Sequence, residues 1–390
     1  MTVLQTTARI LDDLIGFPTV SSESNIALID YAAERLDVLG AKLQITRDET
    51  GQKANLFATI GPDIDGGVVL SGHTDVVPVE GQDWSADPFK ARHRDDRIFG
   101  RGACDMKGFI ACALTMAPGF AAAKLERPLH LALTYDEEVG CMGAQVMLKA
   151  LAATGRRPRA CIIGEPTEMR VIEGHKGGFE YTTRFHGLEG HSAYTDKGVS
   201  AIAYAGRYLA EMNALADDLK ARAPADSPFD PPWTTINPGR IEGGTARNVI
   251  APQCLIEWEF RPVNKADADY VRQRLRTLAV EELLPRMQAV HPGADIRTEI
   301  VGEIAGLEPM PDSEAVALAQ FLTGGNAVET VSFSTEAGLF QELDIPTVVC
   351  GPGSIDQAHK PDEFVALEQL QQCLGMIGHL LPRLAGEHAA

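Results

Sequence analysis

Val68-Val69-Leu70-Ser71-Gly72-His73-Thr74-Asp75 and, beyond a loop, Gly100-Arg101-Gly102-Ala103-Cys104-Asp105-Met106-Lys107-Gly108 form the stretch on which the fold turns. The apolar run Val68-Val69-Leu70 reads as a buried strand of parallel type, and a helical pattern begins directly after the glycine-rich turn. Strand ends and turns of this kind place side chains at the carboxyl edge of an open α/β sheet, where ligands bind. His73 offers an imidazole there, Asp75 a carboxylate that can hold it in one tautomer, and Asp105 an anionic oxygen that can bridge two cations. For His73 taken alone, a hydrogen-bonded polar residue at a strand end explains the pattern equally well.

Outward from this stretch the pattern recurs. Leu129-His130-Leu131-Ala132-Leu133-Thr134-Tyr135 is a strand that ends on Asp136-Glu137-Glu138, with a helix starting over 139–144. Ala160-Cys161-Ile162-Ile163-Gly164 is a shorter one that ends on Glu165-Pro166-Thr167. Thr347-Val348-Val349-Cys350 runs through Gly351-Pro352-Gly353 to His359. Carboxylates at strand ends ordinarily scatter into solvent; gathered together they repel unless cations neutralise them. Upstream, the spacing predicts helices over 4–16 and 25–39 with Ser21-Ser22-Glu23-Ser24 as a cap between them, and strands over 43–47 and 55–60. A helix over 108–123 follows the central stretch.

From Glu173-Gly174-His175-Lys176-Gly177-Gly178 onward the pattern changes. Alternating strands over 179–185 and 254–261 surround helical patterns near 199–221 and 267–289, with a loop rich in Pro and Asp over 223–232. The expectation is an α/β domain of residues 1–177 and 290–390, built on a mostly parallel mixed sheet with helices on both faces. Residues 178–289 are expected to be an inserted α+β module. Two domains suit a chain of 390 residues, which is long for one core.

Composition narrows the partners. Hydrophobic content of 45% and charged content of 23% are those of an ordinary globular protein. A formal net charge of -19 argues against nucleic acid or an anionic membrane as partner, since both want a basic face. The seven cysteines are odd in number and irregularly spaced, so they form neither a disulfide framework nor a paired C-x-x-C zinc signature. They read as buried free thiols in a reducing compartment, which points to the cytoplasm. The N-terminus carries no signal-peptide pattern, and no stretch reaches the roughly 20 apolar residues of a membrane span.

The motifs Ser71 to Asp75, Gly100 to Gly108, Asp136-Glu137-Glu138, Gly164-Glu165-Pro166-Thr167, Gly190-His191-Ser192-Ala193 and Ala358-His359-Lys360-Pro361 follow one another in a specific order. On these, the chain resembles over nearly its whole length the dinuclear metallohydrolases that include aminoacylase, succinyl-diaminopimelate desuccinylase, carboxypeptidase G and acetylornithine deacetylase. The acetylornithine deacetylase branch is the most similar. Its marks here are Val76-Val77-Pro78-Val79 with Gln82-Asp83-Trp84, Gly174-His175-Lys176-Gly177, Ile241-Glu242-Gly243-Gly244-Thr245 and Cys350-Gly351-Pro352-Gly353-Ser354-Ile355.

The resemblance implies two divalent metal ions per chain. His73 and Glu165 would hold one, Glu138 and His359 the other, Asp105 would bridge them, Asp75 would buttress His73, and Glu137 would be the general base. Mixed His/carboxylate ligands suit zinc first, with cobalt or manganese as alternatives. Two such ions about 3.5–4 Å apart acidify a bridging water and polarise a carbonyl. Glu137 would take the water's proton and pass it to the departing amine, with no covalent intermediate.

The resemblance further implies a homodimer through the inserted module, with His191 reaching the partner's active site and Asn248 and Arg261 contacting substrate. The alternatives are that His191 caps the following helix and that Arg261 belongs to a strand-surface ion pair, both less favoured, while Asn248 is equally a turn residue. Arg247 is either a ligand contact or a solvated charge, and the segment Glu336 to Phe340 reads as pocket-lining. The expected activity is removal of the acetyl group from N2-acetyl-L-ornithine to give ornithine and acetate, a step of arginine biosynthesis. A broader N-acyl-amino-acid hydrolase and a succinyl-diaminopimelate desuccinylase are alternatives within the class. A non-catalytic binding protein on the same fold belongs to a different class; Glu137 argues against it, because a binding protein needs no base beside its ligands.

Overall fold

The computed structural model describes residues 1–386. It divides into two compact units, one of Met1–Gly174, Pro309–Thr330 and the chain from Thr335 onward, the other of His175–Glu308 with Val331–Ser334.

The first unit is built on an eight-stranded mixed sheet. In spatial order its strands are Lys42–Arg47, Ala54–Ile60, Leu129–Thr134, Val68–His73, Ala160–Pro166, Thr347–Gly351, Ile172–His175 and Glu329–Val331. Parallel pairing runs through the middle of the sheet, where Leu129–Thr134, Val68–His73, Ala160–Pro166 and Thr347–Gly351 run the same way; the strands directly flanking these four pair antiparallel with them. Every residue of these four central strands is buried, which is why they read as continuous apolar runs rather than alternations.

Two groups of helices cover this sheet. Val3–Ile15, Lys107–Ala122 and Leu367–Leu384 pack on one another, and Met142–Ala153 packs with Ala337–Gln341. Lys107–Ala122 is apolar nearly all round, with Phe109, Ile110, Cys112, Leu114, Ala117 and Phe120 buried, as a central helix must be. The Phe109 ring lies so close to the strand Ala160–Pro166 that a Cβ on Gly164 would sit 1.9 Å from it. The chain leaves Val68–His73 for Leu129–Thr134 on one side and then returns to Ala160–Pro166 on the other. The carboxyl end of Val68–His73 is therefore the point where strand order reverses, the place where open α/β sheets hold ligands.

Two stretches differ from their sequence reading. Ser21 does not cap a helix: the cap position of Ile26–Asp37 is Asn25, and the Ser21 hydroxyl turns inward to Asp75. Arg92–Arg94, Arg97–Phe99 and Phe364–Ala366 form a small three-stranded sheet whose three-residue strands are too short to show a period.

The second unit is a four-stranded antiparallel sheet in the order Thr235–Gly243, Gln253–Arg261, Gly178–His186, Asp295–Ile304. Gln253–Arg261 alternates between buried and less buried positions along its length, and Ala201–Ala221 and Lys265–Thr277 close the core. Tyr181 stacks on Trp258 with ring centroids 4.6 Å apart, and Phe179 on Phe260 at 4.7 Å. This unit is longer than the 178–289 expected of the insertion. The added stretch includes the strand Asp295–Ile304, which joins the sheet edge beside Gly178–His186. Its middle residues, 297–301, are exposed, so the strand lacks the alternation that would have assigned it.

Candidate metal and active site

Strand register gathers the site in the first unit. His73 stands level with Thr134, and Ser71 level with Ile163, so Glu137 and Glu138 on one neighbour and Glu165 on the other follow at the same sheet edge. Thr347–Gly351 ends level with Pro166 and leads on to His359. His73 Nε2 lies 2.9 Å from Asp105 Oδ1 and 3.7 Å from Glu165 Oε1. His359 Nε2 lies 3.0 Å from Glu138 Oε2 and 3.4 Å from Asp105 Oδ2. The two oxygens of Asp105 are thus divided between two histidines. His73, Glu137 and Glu165 form one group with potential ligand atoms within 4.8 Å of one another, and His73, Asp105 and Glu138 form another.

Asp75 acts differently from its expected role. The His73 Nδ1 proton goes to the backbone carbonyl of Asp75 at 2.9 Å, while the Asp75 carboxylate is 3.7 Å away. A carbonyl only accepts, so this bond keeps the proton on Nδ1 and turns Nε2 toward Asp105. The carboxylate instead accepts the backbone N–H of Glu137 at 3.0 Å, that of Glu138 at 3.3 Å, and the Ser21 hydroxyl at 2.7 Å. It braces the turn that carries two of the expected functional carboxylates.

Burial and charge set the protonation of the cluster. Burial, followed by the surrounding carboxylates, pushes Glu137, Glu138 and Glu165 above the ordinary range, with the charge of His73 opposing it. Burial also raises Asp105, but hydrogen bonds from His359 and His73 outweigh it and hold Asp105 well below that range. Burial depresses His73, yet Glu165 and Asp105 carry it well above its usual value. Hydrogen bonds to Asp105 and Glu138 lift His359 to about 10. Like charges about 4 Å apart repel by roughly 4 kcal/mol at an effective dielectric of 20, so such a cluster needs positive charge. In the free protein the Nε2 protons of the two imidazoles supply part of it. Divalent cations fit the donor set: Asp105, Glu138 and Glu165 offer carboxylate oxygens, and the Nε2 atoms of His73 and His359 face them.

Residues 69–383 match the peptidase family M20/M25/M40. The chain belongs to this family. It is a hydrolase, and the match spans both compact units. An acetylornithine deacetylase of Myxococcus xanthus is 39% identical over 383 residues, covering 96% of this chain and 97% of that protein. One from Proteus mirabilis is 36% identical over 386 residues, covering 97% and 96%. Among solved structures, an M20 family metallo-carboxypeptidase from Sulfolobus solfataricus superposes with a TM-score of 0.71 at 18% identity, covering 97% of this chain and 99% of that one. The expected α/β fold with an inserted domain is the architecture of the M20 family.

Several residues of this M20 site escaped the sequence reading. Glu363 and Arg101, each about 1% exposed, form a buried pair at 2.7 Å. The other oxygen of Glu363 accepts the backbone N–H groups of Cys104 at 2.9 Å and Asp105 at 3.1 Å, which fixes the turn bearing Asp105. Glu336 is buried, accepts the Thr134 hydroxyl at 2.8 Å and the Ser71 hydroxyl, and braces two central strands from within. The Cys141 thiol, buried and pushed well up by that burial and by Glu137, lies 3.6 Å from the Glu137 carboxylate. All seven cysteines are free and buried.

The remaining sequence candidates lie in the second unit. Gly190–His191 pairs antiparallel with Val249–Ile250, and the Ser192 N–H donates to the Asn248 carbonyl at 3.2 Å, so His191 and Asn248 are neighbours. His191 does not cap Ala201–Ala221; Ser200 does, accepting from the Ala203 N–H. The His191 ring accepts the Ala193 N–H at Nδ1, 3.1 Å away, which leaves its proton on Nε2. Arg261 forks onto Glu259 at 3.0 and 3.4 Å, the ion pair that its strand position allowed. Asn248 and Arg247 are exposed. No helix among the described residues is long and apolar enough to cross a membrane.

Proposed function

We propose that this M20 hydrolase removes the acetyl group from N2-acetyl-L-ornithine, releasing L-ornithine and acetate for arginine biosynthesis. The chemistry is carried by one observation: a buried carboxylate, Glu137, whose backbone is held by Asp75 beside a cluster of two histidines and three further carboxylates. The substrate rests on the acetylornithine deacetylases that resemble this chain along nearly its whole length.

In this reading His73 and Glu165 would hold one cation, Glu138 and His359 the other, and Asp105 would serve both. Zinc suits these ligands, and cobalt or manganese would also fit. Bound there, two divalent cations would polarise the amide carbonyl and acidify the attacking water. Glu137 takes one proton of that water at its carboxylate as the carbon–oxygen bond forms. It then delivers the proton to the α-nitrogen as the carbon–nitrogen bond breaks. Burial suits it to this exchange, because it raises the carboxylate above its ordinary range and so makes it a stronger base.

His191 is assigned to the developing oxyanion of a partner subunit's site, in a homodimer formed through the inserted unit; its Nε2 proton supports a donor role. Asn248 and Arg261 are assigned to the substrate, with Glu259 steering the Arg261 guanidinium. Free, buried cysteines favour a reducing compartment, so we place the enzyme in the cytoplasm. The test is hydrolysis of a panel, N2-acetyl-L-ornithine, acetylmethionine, acetylcitrulline and succinyl-diaminopimelate, by protein stripped of metal and reloaded. Acetylornithine should give the highest kcat/KM. Failure to cleave it with zinc, cobalt or manganese restored would overturn the substrate reading.

A further inference from the structure

His359 differs from the other residues of the cluster in how it is held. His73 and Glu165 stand on central strands whose register fixes them. His359 lies in a loop, its side chain 53% exposed and its backbone at φ 62°, in the left-handed region. Its carbonyl accepts a hydrogen bond from Gln82 Nε2 at 2.9 Å.

The amide of Gln82 has only one orientation that works. Its Oε1 accepts from Arg101 Nη2 at 2.6 Å and from Trp84 Nε1 at 3.0 Å. Turning the amide over would set its NH2 against two donors and its oxygen against the His359 carbonyl. Arg101 also holds Glu363, which accepts the backbone N–H of Asp105. A single buried guanidinium therefore ends on Asp105 in one direction and, through Gln82, on His359 in the other. These are two ligands of the same cation position, and they lie on segments far apart in sequence. The other position shares Asp105, but its remaining ligands, His73 and Glu165, stand on strands that this chain of bonds does not reach.

We propose that Gln82 is a positioning residue for His359, and that its bond to the His359 carbonyl sets the affinity of the cation position shared by His359 and Glu138 while leaving the other alone. This rests on the two-cation reading above. The idea gives a physical role to Gln82-Asp83-Trp84, a stretch that otherwise carries no chemistry.

The test is calorimetric titration of metal-stripped protein with Zn²⁺ for the wild type, Gln82→Glu and Gln82→Met. Gln82→Glu keeps the acceptor for Arg101 and Trp84 but removes the donor to His359; Gln82→Met removes both. In each variant one of the two binding steps should weaken by about 10–100-fold, the usual scale for a residue that orients a ligand, with the other step unchanged. Turnover lost at limiting Zn²⁺ should return in excess Zn²⁺. Equal weakening of both steps, or a Gln82→Glu protein that binds like the wild type, overturns the proposal. A wild-type protein that takes up no Zn²⁺ instead overturns the two-cation reading on which it stands.

Discussion

The carboxylate of Asp75 is bonded to the backbone of Glu137, at 3.0 Å, and not to the ring of His73. Asp75 thus serves the histidine through its main chain and the acidic turn through its side chain. Asp75→Asn keeps the first bond and disrupts the second, because the Glu137 N–H sits on one carboxylate oxygen and the Glu138 N–H with the Ser21 hydroxyl on the other, so the amide NH2 must face at least one donor. We expect kcat to fall by about 10–100-fold and affinity for one cation to fall in parallel, as outer residues of metal sites do. His73 should keep its tautomer. Steady-state kinetics with metal titration checks this, and Ser21→Ala, which removes one donor to the same carboxylate, should show a weaker form of the same effect.

Glu137→Gln removes the base while preserving its shape and the backbone bond to Asp75. We expect metal content and substrate affinity to be retained and kcat to fall by roughly 10²–10⁴-fold or more, the scale of a general base. Loss of a cation with activity recovered on reloading would exchange the roles of Glu137 and Glu138.

The gathering of His73, Glu137, Glu138, Glu165 and His359 at one sheet edge was legible because each follows an apolar run, and parallel strands in register bring such ends together. Asp105 was legible from its glycine-rich turn. The supports were not. Glu363 follows Lys360-Pro361-Asp362 in a polar loop, and only the fold buries it against Arg101. Ser21 looked like a helix cap because serine clusters usually are, and nothing local announces a partner 54 residues away. The strand Asp295–Ile304 was missed for a related reason: an edge strand with an exposed middle has no period to read.

Stability should fall on the acid side for a reason separate from the metal site. His130 is buried between strands, its ring bonded to the Thr59 hydroxyl at 3.0 Å and the Gly66 carbonyl at 3.2 Å. Burial lowers its pKa to about 4. A histidine lowered in the folded state leaves the unfolded chain binding more protons between that value and the ordinary 6.5. Its stabilisation is therefore complete above about pH 6.5 and is lost as pH falls toward 4. Between about pH 7.5 and about pH 5 the loss from this one residue is roughly 2 kcal/mol. Urea unfolding at the two pH values should show a smaller difference for His130→Gln than for the wild type. An equal difference would assign the acid sensitivity elsewhere.

The proposed role of His191 joins oligomeric state to chemistry. The Ala193 N–H occupies its Nδ1, so the ring presents a single donor, Nε2–H, from an exposed position beside Asn248. A lone donor to a developing oxyanion is worth about 10²–10³-fold in kcat, about 2.7–4 kcal/mol. His191→Ala should lose that much while metal loading and dimerisation stay intact. Whether the residue acts within its own chain or across the dimer is decided by mixing His191→Ala with Glu137→Gln under subunit exchange. Each parent dimer lacks one essential group at both sites. In the mixed dimer, one site combines the Glu137 of one subunit with the His191 of the other, so activity should rise well above either parent. If mass measurement confirms exchange and no activity returns, His191 does not reach the partner's site, and its bond to Ala193 serves only the turn in which it lies.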